Sequence, residues 1–396
     1  MYAQMVHELD AQQDIATIKK KERIRVCIIG VGNCASALVQ GVCLSYNDEL
    51  KGLTFETIGD YKASDIDFVG AYDVDYRKVG KGLGEAIFAK PNCCYKIYDC
   101  EKKYYLRDII VQLGPQFDGV ATHMHHHPED ISFRPLYDKW DRDTIRNHLK
   151  EIKPHVLINY LPVGSQLATE FWADMCIEMK IPFLNCIPVF IASNPTWEKK
   201  FVDAGLPLIG DDMRSQFGAS VLSQMLQELA LDRGHDVISH IQQNAGGNTD
   251  FLNMCDKSRL QTKKISKENV IRASHEIKGL DSSKSFLYAG PSDYIECLGD
   301  NKVAHLSLKL TGFGGAPVHL DAKLSVQDSP NSAGVVVDAI RFLRVAQEMG
   351  LRGALRGASA FTQKSPPEQL LFQDALQECK DLADRKLTQR TSKQIL

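Results

Sequence analysis

The stretch that decides the fold is Ile24–Ser36, which reads IRVCIIGVGNCAS. Its apolar run leads directly into a turn that holds Gly30 and Gly32, and a helical pattern follows from Ala37. This order of strand, glycine-rich turn and helix, with the spacing G-x-G-x-x-A, is typical of a dinucleotide-binding fold. A glycine-rich turn in an unrelated α/β protein is the alternative, and the flanking strand and helix favour the cofactor interpretation.

The residues of this turn match the physical demands of a bound pyrophosphate. Gly30 lets the chain turn sharply off the strand, and Gly32 has no side chain to obstruct the approach of a phosphate to the backbone. Ala35 allows the helix to pack closely on the strand. The first helical residues offer free N–H groups and a partial positive charge. We therefore expect cofactor contacts from Gly30, Gly32, Asn33, Cys34 and Ala35.

Length and composition restrict the classes of protein to which the chain can belong. Its 396 residues, 44% of them hydrophobic, suffice for two ordinary domains with full cores. A net charge of −3 argues against a nucleic-acid binder, and no apolar run reaches the roughly 20 residues that a membrane span requires. Lysines and arginines cluster locally, which suggests a small anionic substrate instead.

The N-terminal segment and the cysteines indicate a cellular compartment. Residues 1–22 are polar and lack the apolar core of a signal peptide, so we interpret them as a polar leader. The eleven cysteines are scattered without a repeat, and several lie within apolar strands, as buried thiols do in a reducing compartment. We therefore expect a cytoplasmic protein.

Four histidines within His123–His127 suggest a metal site at first sight. Neighbouring imidazoles on one loop do not all converge on a single ion, and the spacing H-E-x-x-H is absent. We expect a solvated loop there and no metal site.

A second strand, predicted at Ile66–Asp73, ends in an acid that a dinucleotide fold uses to bind the ribose hydroxyls. Asp73 lies farther from the glycine-rich turn than the usual ~20 residues, so the insertion at Asn47–Ser64 must loop out. A carboxylate here favours NAD over NADP because it would repel a 2′-phosphate. A helix-capping aspartate is the alternative.

Further βαβ units extend the predicted sheet. Strands are expected at 155–162, 181–188 and 206–210, with a short one at 118–121, and the helix Gln166–Met179 lies between two of them. Ligand-binding residues of such a sheet lie beyond the carboxyl ends of its strands. This rule points to 160–165 and to 185–193. Asp211, Asp212 and Arg214 follow the strand at 206–210, and two carboxylates beside a basic residue suggest ordered polar chemistry, with capping of the helix after Ser215 as the alternative.

The pattern changes from about Asp236. Two alternating strands, 302–310 and 318–326, predict an inserted α+β domain with an antiparallel sheet. A lysine-rich segment, Asp256–Arg272, has few apolar partners, and a solvated helix face is the simple explanation for it. A long helix is expected at Ala333–Met349, capped by Asn331 or Ser332.

Several long blocks together resemble the myo-inositol-1-phosphate synthase family in its shorter prokaryotic form. The blocks are GVGNCASALVQGV, FVGAYDVD, NYLPVGS, PVFIAS, IGDD, NAGGNTDF, KKISK, GPSDY, DSPNSAGVVVDAIR and KSPPEQ. The resemblance implies an α/β fold: a Rossmann-type domain, 23–211, completed by a C-terminal segment, 328–396, around an inserted α+β catalytic and oligomerisation domain, 212–327. It also implies NAD as a recycled oxidant and a homotetramer.

The resemblance carries site residues to matching positions. The implied catalytic residues are Lys263, Lys267, Lys302, Lys364, Asp212 and Asp328. Further cofactor contacts are expected from Asp73, Ser165, Asp211, Ser329 and Asn331, in addition to the glycine-rich turn. Substrate contacts are expected from Asn248, Asp250, Arg214 and Lys264. Lys267 and Lys302 are expected at the C5 oxygen, Lys364 at the C1 carbonyl, and Lys263 with Asn248 at phosphate or oxyanion positions.

The implied reaction converts glucose 6-phosphate to a cyclitol phosphate by C5 oxidation, enolisation, aldol closure and re-reduction. Fixed cations suit this chemistry because each step builds negative charge on a carbonyl oxygen. Arg214 departs from the lysine common in the family, and the region 95–141 with its histidine cluster departs as well. These differences leave open a paralogue that closes another sugar phosphate, such as fructose 6-phosphate. The sequence also leaves open a simple NAD-dependent sugar-phosphate dehydrogenase and a catalytically dead NAD-sensing scaffold.

Overall fold

The computed structural model describes residues 21–101, 103–256 and 268–387, and these form two sheets with flanking helices. The larger sheet is parallel throughout, in the strand order β11-β6-β5-β4-β1-β2-β3. Its strands are β1 Ile24–Ile29, β2 Ile66–Asp73, β3 Val111–Leu113, β4 Val156–Asn159, β5 Phe183–Asn185, β6 Pro207–Ile209 and β11 Gly353–Ala354.

The second sheet has the order β10-β9-β7-β8. Its strands are β7 Asp236–Gly246, β8 Phe286–Tyr294, β9 Asn301–Thr311 and β10 Pro317–Gln327. The helices are α1 Asn33–Ser45, α2 Leu83–Ala86, α3 Tyr104–Arg107, α4 Arg142–Ile152, α5 Gln166–Met179, α6 Pro195–Ala204, α7 Ala219–Asp232, α8 Thr249–Asn253, α9 with its described part 268–277, α10 Asp328–Glu348, α11 Arg356–Thr362 and α12 Phe372–Ala383.

The apolar run of β1 is buried because helices cover both faces of the parallel sheet. Val26 and Ile28 face a core built largely by α1 and α10, whereas Cys27 and Ile29 face a second core with α4, α5 and α6. The alternation of strand side chains between the two faces produces this division. The sheet therefore lies between two helical layers, and the carboxyl ends of its strands share one edge.

The C-terminal part of the chain returns to this sheet. β11 pairs in parallel with β6, and α10 packs along α1. The prediction of a Rossmann-type parallel sheet is confirmed.

The second sheet is mixed, so the prediction of an antiparallel sheet is confirmed for the pairing of β9 and β10 but was wrong for β8. β7 pairs antiparallel with β9 but parallel with β8. A parallel neighbour needs a crossover connection, and the long segment between β7 and β8, which includes α8 and α9, supplies it. The predicted polar turn at 244–248 was also misplaced, because β7 continues through Gly246.

Two further local predictions were wrong. Residues 118–121 form no strand, and a 3-10 turn follows at Thr122–His126. The long helix begins at Asp328 rather than at Ala333, so Asn331 and Ser332 lie inside it instead of capping it. Pro330 is compatible with this early start because the N–H groups of a first helical turn have no intrahelical acceptor.

Within the described residues, no helix combines the length and the apolar character that crossing a bilayer would require.

Candidate active site

A cavity of ≈ 360 Å³ lies where the carboxyl edge of the parallel sheet meets the second sheet. The glycine-rich turn, the ends of β2, β4 and β5, the segment after β6, α8, β9 and the start of α10 all contribute to its wall. It is lined by thirteen of the residues predicted for the site: Gly30, Gly32, Asn33, Cys34, Ala35, Asp73, Asp212, Asn248, Asp250, Lys302, Asp328, Ser329 and Lys364.

The glycine-rich turn has the geometry that a dinucleotide requires. Gly30 adopts a positive φ of 92°, and a Cβ there would lie 2.7 Å from the carbonyl oxygen of Tyr160. At Gly32, by contrast, no atom outside the local backbone and the two neighbouring residues lies within 4 Å of the position of a Cβ, so the space above this residue is open. α1 begins immediately afterwards, at Asn33. Open space at a helix N-terminus fits a bound phosphate group.

Asp73, at the end of β2, lines the same cavity. Its carboxylate accepts hydrogen bonds from the backbone N–H groups of Val31 at 2.7 Å, Val74 at 2.7 Å and Asp75 at 2.8 Å. Backbone donors hold the carboxylate in one orientation at the position where a ribose would bind. The insertion that separates Asp73 from the turn does loop out, because β1 and β2 are adjacent strands.

Lys302 and Asp328 form an ion pair in the cavity wall. The Lys302 Nζ lies 3.1 Å from Asp328 Oδ1, and each side chain is 21% exposed. Lys302 lies on β9 and Asp328 begins α10, so the end of the second sheet and the start of the long helix meet here. The partial positive charge at the N-terminus of α10 stabilises the Asp328 carboxylate.

Asp300 supports this pair from the interior. It accepts hydrogen bonds from the Ser329 hydroxyl at 2.7 Å and the Asn248 amide at 3.3 Å, and its carbonyl accepts one from the Asp328 N–H at 2.9 Å. Burial, with the nearby charge of Asp328, raises the pKa of Asp300 to about 6. Sequence reasoning missed Asp300, although its position two residues before Lys302 was the available signal.

Lys364 and Asp212 form a second ion pair, with Nζ 2.8 Å from Oδ1. Both side chains are almost fully buried. The backbone joins them as well, because the Lys364 N–H donates to the Asp212 carbonyl at 2.7 Å. Asp212 adopts a positive φ of 63°, an uncommon conformation for a residue other than glycine. The segment after β6 thus presents a carboxylate directly to the lysine of the C-terminal segment.

Asn248 and Asp250 lie at the start of α8. The Asn248 side chain caps this helix by accepting from the N–H groups of Asp250 at 3.1 Å and Phe251 at 3.3 Å. Both predicted residues line the cavity, close to the Asp300 network.

Four predicted residues do not line the cavity. The Ser165 hydroxyl donates to the Pro162 carbonyl at 2.5 Å. The Asp211 carboxylate is fully buried and accepts from the Asn185 amide and from N–H groups at 191–193. Burial raises the pKa of Asp211 to about 6. Asn331 exchanges hydrogen bonds with the backbone of Phe217. The side chains of Ser165, Asp211 and Asn331 are hydrogen-bonded within the fold, and their cofactor contacts stay predictions.

Arg214 also lies outside the cavity lining, and its substrate contact stays a prediction. Its guanidinium donates to the carbonyl of Gln363 at 2.6 Å and to the side chains of Gln224 and Gln369. The residue is 2% exposed. The predicted lysines Lys263, Lys264 and Lys267 lie outside the described residues.

Comparison with known proteins places this geometry in a family. The family model described as myo-inositol-1-phosphate synthase matches residues 218–329. The inositol-3-phosphate synthase of Mycobacterium tuberculosis (strain CDC 1551) is 43% identical over 368 residues, which cover 91% of this chain and 96% of the relative. The chain belongs to the myo-inositol-1-phosphate synthase family.

Two solved structures related to this family member share its fold. The crystal structure of Ari2 has a TM-score of 0.70 at 32% identity, and the match covers 92% of this chain and 99% of the Ari2 chain. The inositol-3-phosphate synthase of Caenorhabditis elegans has a TM-score of 0.74 at 14% identity, with coverages of 92% and 86%. The fold is therefore kept when most of the sequence differs.

The cavity of this myo-inositol-1-phosphate synthase family member also contains residues that sequence reasoning missed. Lys78 and Asn92 line it beside the glycine-rich turn, and His125 lines it from the histidine-rich turn. His123 does not form part of a solvated loop: its Nε2 lies 2.9 Å from the Leu252 carbonyl, which ties this turn to α8. Within the described ranges, no group of three or more histidine, cysteine or acidic side chains has the arrangement of a metal site.

Proposed function

We propose that this chain is an inositol-3-phosphate synthase that converts glucose 6-phosphate to a cyclitol phosphate with NAD as a recycled oxidant. The observation that carries the proposal is the meeting of two carboxylate-paired lysines, Lys302 and Lys364, with a glycine-rich turn in one cavity. The relatives named as inositol-3-phosphate synthases align along most of the chain. The carboxylates hold both ammonium groups at the cavity wall, where they can contact an anionic substrate.

The residues around the turn suit NAD. The N–H groups at the start of α1 would bind the pyrophosphate, and the Asp73 carboxylate would accept hydrogen bonds from the ribose hydroxyls. When bound, NAD supplies a reversible hydride acceptor for the C5 hydroxyl. The same carboxylate disfavours NADP, because a 2′-phosphate would carry negative charge toward it.

The two paired lysines would act on the oxygens of the open-chain sugar. Lys302 donates a hydrogen bond to the C5 oxygen and Lys364 to the C1 carbonyl, so each ammonium stabilises negative charge as it develops. Asp328 and Asp212 hold these ammonium groups in place and can receive a proton from them. Lys267 is assigned to the C5 oxygen with Lys302, and Lys263 and Lys264 to the phosphate with Asn248 and Asp250, by resemblance to the family.

The alternative of a different sugar phosphate was based on Arg214 and on the region 95–141 with its histidine cluster. Because the Arg214 guanidinium binds Gln363, Gln224 and Gln369, the exchange of lysine for arginine does not alter the charge that lines the described cavity. Glucose 6-phosphate is the substrate that we propose, and the alternative that rests on 95–141 stays a prediction.

We also propose a cytoplasmic homotetramer. All eleven cysteines are free thiols, which suits a reducing compartment. The side of the second sheet that faces away from α7 is exposed and carries apolar residues, among them Phe286, which is 61% exposed. An exposed apolar sheet surface suits association with further copies of the chain.

Two parallel incubations test the proposed activity. The protein is mixed with a catalytic amount of NAD and either glucose 6-phosphate or fructose 6-phosphate, and both absorbance at 340 nm and periodate-sensitive cyclitol phosphate are measured. Formation of a six-membered cyclitol phosphate without net NADH is the expected result. Accumulation of NADH would instead indicate a dehydrogenase, and turnover of fructose 6-phosphate but not glucose 6-phosphate would indicate the paralogue. NAD binding without any turnover would indicate a sensing protein.

A further inference from the structure

Lys78 is a buried lysine in the cavity wall to which the proposed reaction assigns no role. It is 2% exposed and lies in the turn that follows β2, where its N–H donates to the Asp75 carbonyl at 3.0 Å. Among the described residues lining the cavity, the ammonium groups belong to Lys78, Lys302 and Lys364. Lys302 lies on β9 of the second sheet and Lys364 is paired with Asp212 after β6, whereas Lys78 lies beside the glycine-rich turn.

The Lys78 side chain binds the central peptide of that turn. Its Nζ donates to the Val31 carbonyl at 2.6 Å and to Asn92 Oδ1 at 2.9 Å. The Asn92 amide donates to the same Val31 carbonyl at 3.2 Å and to the Ile87 carbonyl at 2.8 Å. On the other side of the residue, the Val31 N–H donates to Asp73 Oδ2 at 2.7 Å. Side chains therefore occupy both backbone polar groups of Val31.

Such a clamp matters because Val31 lies between two glycines. Glycine has the greatest backbone freedom, and ordering it on ligand binding would cost conformational entropy. Fixing Val31 from both sides sets the direction of the chain into Gly32 and the start of α1 before a ligand arrives. The free N–H groups of the helix N-terminus are then already oriented toward a phosphate.

The charge of Lys78 has a second effect. Asp73 and Asp75 both lie near its ammonium group. Without the charge of Lys78, a diphosphate would meet these two carboxylates. Burial lowers the pKa of Lys78, while the two aspartates raise it. A bound anion beside the amine would favour its charged form further. Asp75 itself is paired with Arg77, which leaves Lys78 to offset Asp73.

We propose that Lys78 is a positioning residue for the cofactor, which holds the Val31 peptide so that a dinucleotide diphosphate meets a preorganised turn. The inference rests on the proposed use of NAD and adds a determinant of its affinity. Lys78 acts through Val31, and its contribution is to binding of the diphosphate rather than to the chemistry at the sugar.

The test compares Lys78→Met with Lys81→Met. Lys81 lies in the same turn but is exposed and paired with Glu85, so the control removes the same charge without touching Val31. Titration calorimetry of the cofactor-free protein with NAD, and separately with ADP-ribose, measures both dissociation constants. For Lys78→Met we expect the dissociation constants of NAD and ADP-ribose to rise by about 10- to 100-fold. The rise should be equal for the two ligands because both carry the diphosphate. Lys81→Met should stay within about twofold of the wild type.

Further readouts separate positioning from general damage. With NAD at saturation, the KM for glucose 6-phosphate should be unchanged in Lys78→Met, since the sugar binds near Lys302 and Lys364. If Lys78→Met fails to fold, Asn92→Ala serves as the second variant. It removes one of the two donors to the Val31 carbonyl and should weaken NAD binding several-fold. An unchanged dissociation constant in a folded Lys78→Met or Asn92→Ala variant overturns the inference. Absence of NAD binding by the wild type would contradict the proposed function itself.

Discussion

The ammonium group of Lys302 is fixed by Asp328 at 3.1 Å on the wall of the cavity. Because the proposed chemistry builds charge on the C5 oxygen beside it, we expect Lys302→Ala to lower kcat by about 10³-fold or more. NAD should remain bound, since the glycine-rich turn and Asp73 are untouched. Turnover is measured as cyclitol phosphate formed, and bound NAD is measured after denaturation of the purified protein.

The matched control is Lys309→Ala on the same strand. Lys309 is exposed, and its alanine variant removes an equal charge outside the cavity wall. Its kcat should stay within about twofold of the wild type. Turnover by Lys302→Ala at the wild-type rate would contradict the role assigned to this lysine.

Asp300 should make stability depend on pH in a defined direction. Its pKa is raised from 3.8 to about 6, chiefly by burial, so between pH 4 and pH 6 the folded state binds more protons than the unfolded state. The free energy of unfolding therefore falls as pH rises through this range. Relative to Asp300→Asn, the wild type should lose about 2 kcal/mol of unfolding free energy between pH 4 and pH 7.

Urea unfolding of both proteins at several pH values measures this difference, and the shared titration of all other groups cancels. The cofactor-free protein is used so that ligand binding does not contribute. A wild type that instead gains unfolding free energy relative to the variant as pH rises would show that the Asp300 carboxylate is stabilised in its ionised form.

At the scale of elements, a short antiparallel pairing joins 211–214 to 362–365. Backbone hydrogen bonds run between Asp211 and Ser365 in both directions, and the Arg214 N–H donates to the Thr362 carbonyl at 2.8 Å. The Arg214 guanidinium adds a bond to the Gln363 carbonyl, next to Lys364. The segment that carries Lys364 is thus held by the segment that carries its partner, Asp212.

Arg214→Lys tests whether this pairing positions Lys364. A lysine keeps the charge but cannot bind Gln363, Gln224 and Gln369 together, so the Lys364 segment should loosen. We expect kcat to fall by about 10-fold with the NAD dissociation constant unchanged. Arg352→Lys, at an exposed position before β11, is the control. An unchanged kcat in Arg214→Lys would mean that the backbone hydrogen bonds alone position Lys364.

At the scale of the whole molecule, the second sheet has one covered side and one exposed side. Leu306 and Leu308 pack toward α7, whereas Phe286 stacks on Tyr288 near the exposed edge, with ring centroids 6.4 Å apart. We expect the wild type to be a tetramer by light scattering and Phe286→Asp to shift it toward smaller species, because a charge opposes apolar association. A tetramer that survives this substitution would place the interface elsewhere.

The local pattern of the sequence was sufficient to predict much of the fold. The predicted bounds of β2 and α5 agree with the structure residue for residue, and the strand–turn–helix order around Gly30 was also correct. These elements were predictable because their periodicity and glycines reflect forces that act within a few residues. The mixed pairing of β7 and β8 was not predictable, because strand direction depends on a crossover of about forty residues.

The sequence by itself determined that a glycine-rich turn follows a buried strand and that particular lysines and aspartates accompany it. Only the tertiary structure decided which of them share a cavity. Lys302 and Lys364 line it together, whereas the side chains of Asp211, Asn331 and Arg214 are bound within the fold. The structure also revealed Lys78 and Asp300. The physical reason is that residue type specifies which hydrogen bonds a side chain can form, while packing between distant segments decides which partner is within reach.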